Sequence, residues 1–193
     1  MISKQQGQLL ISLARASIAE ALGYPSKTIN TSPEDTNWLK QDAACFVTLT
    51  LNEQLRGCIG SLEAHRPLLN DIQHNARAAA FEDPRFRPLS STEFEDIEIE
   101  VSLLSPMHPL TFETELEALE QLQPGIDGVI FEYGRYRSTF LPQVWEQLPS
   151  TRDFMAHLKQ KAGLGADFWA DEIRLSRYSV TKWKEHEPGV EPT

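Results

Sequence analysis

Long apolar runs are missing from this 193-residue chain. None approaches the ~20 residues a helix needs to cross a bilayer, so a membrane role is not expected. Cysteine is scarce. Cys45 and Cys58 are the only two, too few for a disulfide scaffold. The N-terminal stretch "MISKQQGQLLISLARASIAEALG" lacks the apolar core of a signal peptide. A cytoplasmic location follows as the expectation, with both cysteines kept as thiols. Basic residues are also short, 18 against 28 acidic, for a formal net charge of -10. A field of that sign disfavours nucleic acid as a partner, while leaving room for a local basic pocket.

Catalytic signatures are absent as well. The sequence holds no HExxH, GxSxG, Walker loop, Rossmann glycine fingerprint or CxxC. His65, His74, His108, His157 and His186 lie far apart, so there is no local metal motif. Neither a metal nor a cofactor is expected of the chain itself. No linker, low-complexity block or repeat breaks it up, and its length suits one domain or one domain of two lobes.

What the chain does have is periodicity. Leu10, Leu13, Ala14, Ser17, Ile18, Ala21 and Leu22 recur at helical spacing, with Ser3 as N-cap and Gly23 as stop. "YPSKTINTSPEDTN" reads as loop. "ACFVTLTL", the turn "NEQ" and "LRGCIG" read as a hairpin. Pro67 can open a helix whose buried stripe is Leu68, Leu69, Ile72, Ala76, Ala79 and Ala80. Ser90 with Glu93 fits a capping box. "IEIEVSLL" alternates strictly, with Ile97, Ile99, Val101 and Leu103 on one face and Glu98, Glu100 and Ser102 on the solvated one. A short acidic helix is expected around Glu115 to Leu122. "GVIFEY" and "YRSTFL" flank Gly134-Arg135 as a second hairpin. "PQVWEQL" and "TRDFMAHLKQKAG" read as helices, and "EIRLSRYSVTKW" as one last strand. Hairpins with helices between them predict an α+β fold around one antiparallel sheet flanked by helices.

Two constellations could carry chemistry. Cys58 stands in "LRGCIG" with Arg56 at i−2, on the same face of a regular strand. Nearby cations raise the thiolate fraction of a cysteine, and Gly57 and Gly60 remove bulk so that a ligand's backbone or body can approach. The same residues could equally be a buried cysteine and a bulge in a tight corner. Cys45, inside "ACFVTL", reads as core. The second constellation is Arg56, Arg85 and Arg87, with Arg135 and Arg137 in the later hairpin. Guanidinium forks beside turn N–H groups can hold a small anion.

These segments together resemble the AMMECR domain family, known in prokaryotes as AmmeMemoRadiSam system protein A. "LRGCIG" is that family's signature. The likeness continues through "DPRFRPLS", "IEIEVSLLSP", "GVIFEYGRYRSTFLPQVW" and "LKQKAGL", in the family's order. The resemblance implies an α+β domain over 1–184, with a larger and a smaller lobe in one compact unit, a cleft lined by the signature, and a flexible tail over 185–193. It implies a shared system with a Memo-type protein and a radical SAM enzyme, where radical chemistry falls to the latter. Cys58 would then be the candidate catalytic or carrier thiol, and Arg56, Gly57, Gly60, Arg85 and Arg87 would bind a small anionic intermediate. The alternative is a non-catalytic interaction module in which "LRGCIG" is a structural corner.

Overall fold

Ser3 accepts the N–H of Gln6 while the Gln6 side chain returns to the Ser3 N–H, a capping box that starts helix α1, Lys4–Ala21. Gly23, at φ +85°, ends it. Tyr24 N–H reaches the Ala19 carbonyl and Gly23 N–H that of Glu20, the paired bonds of a Schellman turn that favours glycine. The computed structural model describes residues 2–25 and 36–186. The expected loop at 24–37 falls largely outside the described residues, as does 187–193 of the expected tail. Glu185, where that tail was to begin, is held by its N–H to the Ile99 carbonyl and by an ion pair with Arg15.

The remaining elements alternate hairpins and helices. β1 (Cys45–Leu51) and β2 (Gln54–Gly60) precede α2 (Leu68–Phe81), the single turn α3 (Ser91–Phe94), β3 (Ile97–Leu104) and the two-residue β4 (His108–Pro109). After α4 (Glu115–Glu120) come β5 (Gly128–Tyr133), β6 (Tyr136–Phe140), α5 (Thr151–Lys161), β7 (Arg174–Tyr178) and β8 (Val180–Lys184). The fold is α+β. "PQVWEQL", expected as a helix, makes only a 3₁₀ stretch at Pro142–Glu146.

One antiparallel sheet was the expectation, and there are two. Their strand orders are β2-β1-β3-β8 and β4-β7-β5-β6. The two hairpins therefore belong to different sheets, and "EIRLSRYSVTKW" divides at Ser179 into one strand for each. The chain separates into two compact units accordingly. One takes the described residues up to Leu104 and those from Thr181 on; the other is Ser105–Val180.

In the first unit, α1 and α2 cover one face of the sheet. Leu10, Ala14 and Ile18 meet Ile72, Ala76 and Ala79 over Val47, Leu49, Ile99 and Val101, all nearly or fully buried. On β3 the predicted register holds through Ile97, Ile99 and Val101, but Ser102 and Leu104 are buried and Leu103 only partly so. The second unit has its own core, built around Val129, Phe131, Phe154, Leu158 and Leu175, with Trp145 stacked on Phe154 at 3.7 Å. No helix among the described residues is long and apolar enough to cross a membrane.

Candidate functional site

The hairpin that carries Cys58 turns at Asn52 and Glu53, both at positive φ, as a two-residue type I′ turn demands. Further along, the register slips. Leu49 pairs with Gly57 but Thr50 pairs with Leu55, which leaves Arg56 as the extra residue of a β-bulge. The bulge breaks the alternation that would have set Arg56 and Cys58 on one face. Arg56 instead forms a bidentate pair with Glu93, Nε to Oε1 at 2.9 Å and Nη2 to Oε2 at 3.1 Å. Its remaining nitrogen, Nη1, is buried without an acceptor among the described residues. The guanidinium, with help from the Ser90 N–H, holds the Glu93 carboxyl down to about 2.

β2 is the edge of its sheet, so among the described residues no strand bonds one side of Cys58. The segment after α2 supplies the partners. Asp83 Oδ2 accepts the Cys58 N–H at 2.9 Å, and Arg85 Nη2 donates to the Cys58 carbonyl at 3.3 Å. Asp83 and Arg85 also grip each other, Nη2 to Oδ2 at 2.7 Å and Nε to Oδ1 at 2.9 Å. Hydrogen bonding from Arg85 keeps the Asp83 carboxyl well below the usual carboxylate range, against the opposing effect of burial. Arg87 is exposed and forms no ion pair among the described residues.

With its N–H and C=O turned outward, Cys58 faces Thr48 as a non-hydrogen-bonded pair, the geometry that brings side chains closest. Thr48 Oγ1 donates to the Cys58 sulfur at 3.3 Å. Cys58 is half-buried. Across the sheet Thr48 pairs with Glu100, whose carboxylate has Lys182 at 3.4 Å and Lys184 at 3.6 Å. Thiol, hydroxyl, carboxylate and ammonium thus stand in a row on the face turned from the core. Gly60 lies against the Phe46 ring, and Gly57 against the Ala79 carbonyl of α2. Arg135 and Arg137 belong to the other unit, over Tyr136 at 5.3 Å and beside Glu132 at 3.5 Å.

One polar cluster escaped the sequence reading. Asp71, fully buried on α2, accepts the Cys45 N–H at 2.9 Å, the Cys45 thiol at 3.3 Å, Ser61 Oγ at 2.7 Å and Asn75 Nδ2 at 3.1 Å. Arg66 Nε is 3.0 Å from Asp71 Oδ1, but it makes no hydrogen bond among the described residues, so that contact is charge attraction without alignment. Cys45 is core, as expected, but bonded core. Burial first, and then the Asp71 charge, pushes its thiol pKa well up. Asp71 and Asn75 share the helical stripe of Leu68, Ile72, Ala76 and Ala79. Two polar residues interrupting an apolar stripe were the available signal.

A family model, AMMECR1, matches residues 11–183. Protein MJ0810 of Methanocaldococcus jannaschii is 35% identical over 97% of this chain and 94% of its own length. A protein of Methanothermobacter thermautotrophicus is 35% identical over 95% of this chain and 96% of its own. The crystal structure of uncharacterized protein PH0010 from Pyrococcus horikoshii superposes with a TM-score of 0.78 at 30% identity, covering 97% of this chain and 95% of that one.

Proposed function

The chain belongs to the AMMECR1 family, and on that premise we propose that it is a cytoplasmic component of a system with a Memo-type protein and a radical SAM enzyme. In that system it holds a small intermediate, with Cys58 as the thiol that engages it. The observation that carries this reading is the Cys58 sulfur itself, half-buried outside the core with the Thr48 hydroxyl at 3.3 Å. Its backbone is pinned through both N–H and C=O by Asp83 and Arg85. A pinned strand fixes where the sulfur stands, so engaging an electrophile requires little rearrangement. The sulfur lone pair would bond the electrophilic atom as that atom's leaving group departs with its bonding pair, and the thiol proton would pass to water. Arg56 and Arg85 are committed to Glu93 and Asp83, so Arg87 is the cation open to an anionic group.

Intact-mass analysis after incubation with the Memo-type and radical SAM proteins tests the proposal. Wild type should gain an adduct, and Cys58→Ser should not, because a serine hydroxyl ionises far too weakly to replace a thiolate. An adduct that persists in Cys58→Ser would overturn it. Cys58→Ser should melt within a few degrees of wild type, since no sizeable cavity opens.

A second reading, the non-catalytic interaction module, has its own support. Leu55, the first residue of "LRGCIG", is 44% exposed, an apolar side chain at the tip of an otherwise packed corner. On that reading Cys58→Ser keeps full pathway output in cells, while Leu55→Ser loses capture of the Memo-type partner.

A further inference from the structure

Lys159 is the most deeply buried cation of the second unit, 2% exposed on α5. Its ammonium meets Glu115 Oε1 at 2.8 Å and lies 5.9 Å from the centre of the Trp169 ring. An ammonium has three N–H donors, and Glu115 supplies its one acceptor among the described residues. Its other two N–H donors have no acceptor among the described residues, so they can receive a ligand's acceptor atoms.

Lys159 is among the residues lining a cavity of about 310 Å³ between α4 and α5, at the small end of the ~300–1,000 Å³ typical of ligand sites. Arg152 and Asp167 line the same cavity. Both are exposed, and neither pairs with the other or with any charge among the described residues. Together they put one cation and one anion on the cavity wall, where each could meet a ligand group of the opposite sign. The apolar wall is Leu116, Leu119, Ala156 and Ala166, and Leu116 is 61% exposed.

We infer that this cavity binds a free α-amino acid with an apolar side chain. The carboxylate faces Lys159 and Arg152, the ammonium faces Asp167, and the side chain lies against Leu116 and Leu119. Charge balance selects the zwitterion. A plain carboxylate would bring its charge towards Glu115 and Asp167, and a plain amine towards Lys159 and Arg152, each a like-charge contact that costs affinity. The site uses none of the residues invoked for Cys58 and stands or falls separately from that reading.

Titration calorimetry on the full chain tests it, with L-leucine as probe. Its two half-analogues are 4-methylpentanoate, which lacks the amine, and 3-methylbutylamine, which lacks the carboxylate. Leucine should bind saturably, and each analogue should bind weaker by about tenfold or more. Arg152→Gln and Asp167→Asn, both at exposed positions where folding is preserved, should each weaken leucine by a similar factor. Absence of saturable leucine binding would overturn the inference. So would 4-methylpentanoate binding as well as leucine, or leucine affinity unchanged in both variants.

Discussion

Gly57→Ala puts the packing of "LRGCIG" to a quantitative test. A Cβ built at Gly57 falls 2.1 Å from the Ala79 carbonyl oxygen and 3.1 Å from its carbon, where real Cβ atoms do not come within 3.0 Å. The obstacle is helix backbone, so no side chain can swing aside. Either α2 or β2 must retreat by about 1 Å, and a gap of that size forfeits roughly a quarter to a half of each dispersion contact across the seam. Ala79 is the α2 residue at the contact, and Ile72, Ala76 and Ala80 of the same helix share the buried core with it. Overpacking of this kind costs ~1–3 kcal/mol, and an obstructing backbone favours the upper half. Loss of glycine's freedom in the unfolded chain returns ~0.4–1 kcal/mol. The net is a destabilisation of about 2 kcal/mol, or roughly 4–8 °C in Tm for a chain of this size. Urea unfolding followed by circular dichroism reads it directly. Gly165→Ala is the control, because nothing lies within 4 Å of its added Cβ; it should leave the midpoint unchanged or raise it slightly. A Gly57→Ala midpoint equal to wild type would refute the close approach of α2 to β2.

Three further outcomes are expected. Under native conditions iodoacetamide should modify half-buried Cys58 faster than Cys45, which is fully buried with its thiol pKa raised; equal rates by peptide mass spectrometry would contradict the site geometry. Acid should destabilise the fold through Glu93 and Asp83, whose carboxyls are depressed from 4.5 and 3.8 by Arg56 and Arg85. A depressed carboxyl stabilises fully above its unfolded pKa, and that contribution is lost as pH falls towards the folded value. The urea midpoint should therefore drop between pH 5 and about pH 2, with a shallower slope in Glu93→Gln; identical slopes would remove the ion pair from the account. Asp71→Ala should cost about 3 kcal/mol or more, because it takes the buried acceptor from Ser61, Asn75 and the Cys45 N–H at once. A urea midpoint within error of wild type would show that this network does not support the fold.

Local signals were the legible ones. The Ser3 and Ser90 caps, the Gly23 stop, the α2 stripe and the first half of β3 all follow from residues a few positions apart. The division into two sheets was not legible, because it depends on β1 pairing with β3 and β5 with β7 across long stretches of chain. Nothing in "RLSRYSVTKW" marks Ser179 as the place where one extended segment becomes two strands. The same limit hid the site's wiring. Cys58 could be singled out from its glycines and arginine, but the bulge at Arg56 is visible only once β1 sets the register. The acidic partners of Arg56 and Arg85 were likewise in plain sight, Glu93 already assigned to a cap and Asp83 two residues from its arginine. Their second role requires three dimensions.

An edge strand is an invitation to any other extended chain, since its outward N–H and C=O groups wait for a partner. The Asp83–Arg85 pair answers that invitation from within the molecule, a carboxylate and a guanidinium standing where a neighbouring strand's carbonyl and amide would be. A foreign strand could not extend the sheet past Cys58 without first evicting Arg85 and burying Asp83 unpaired. The pair that holds the Cys58 backbone therefore also blocks edge-to-edge pairing of β2 at that point.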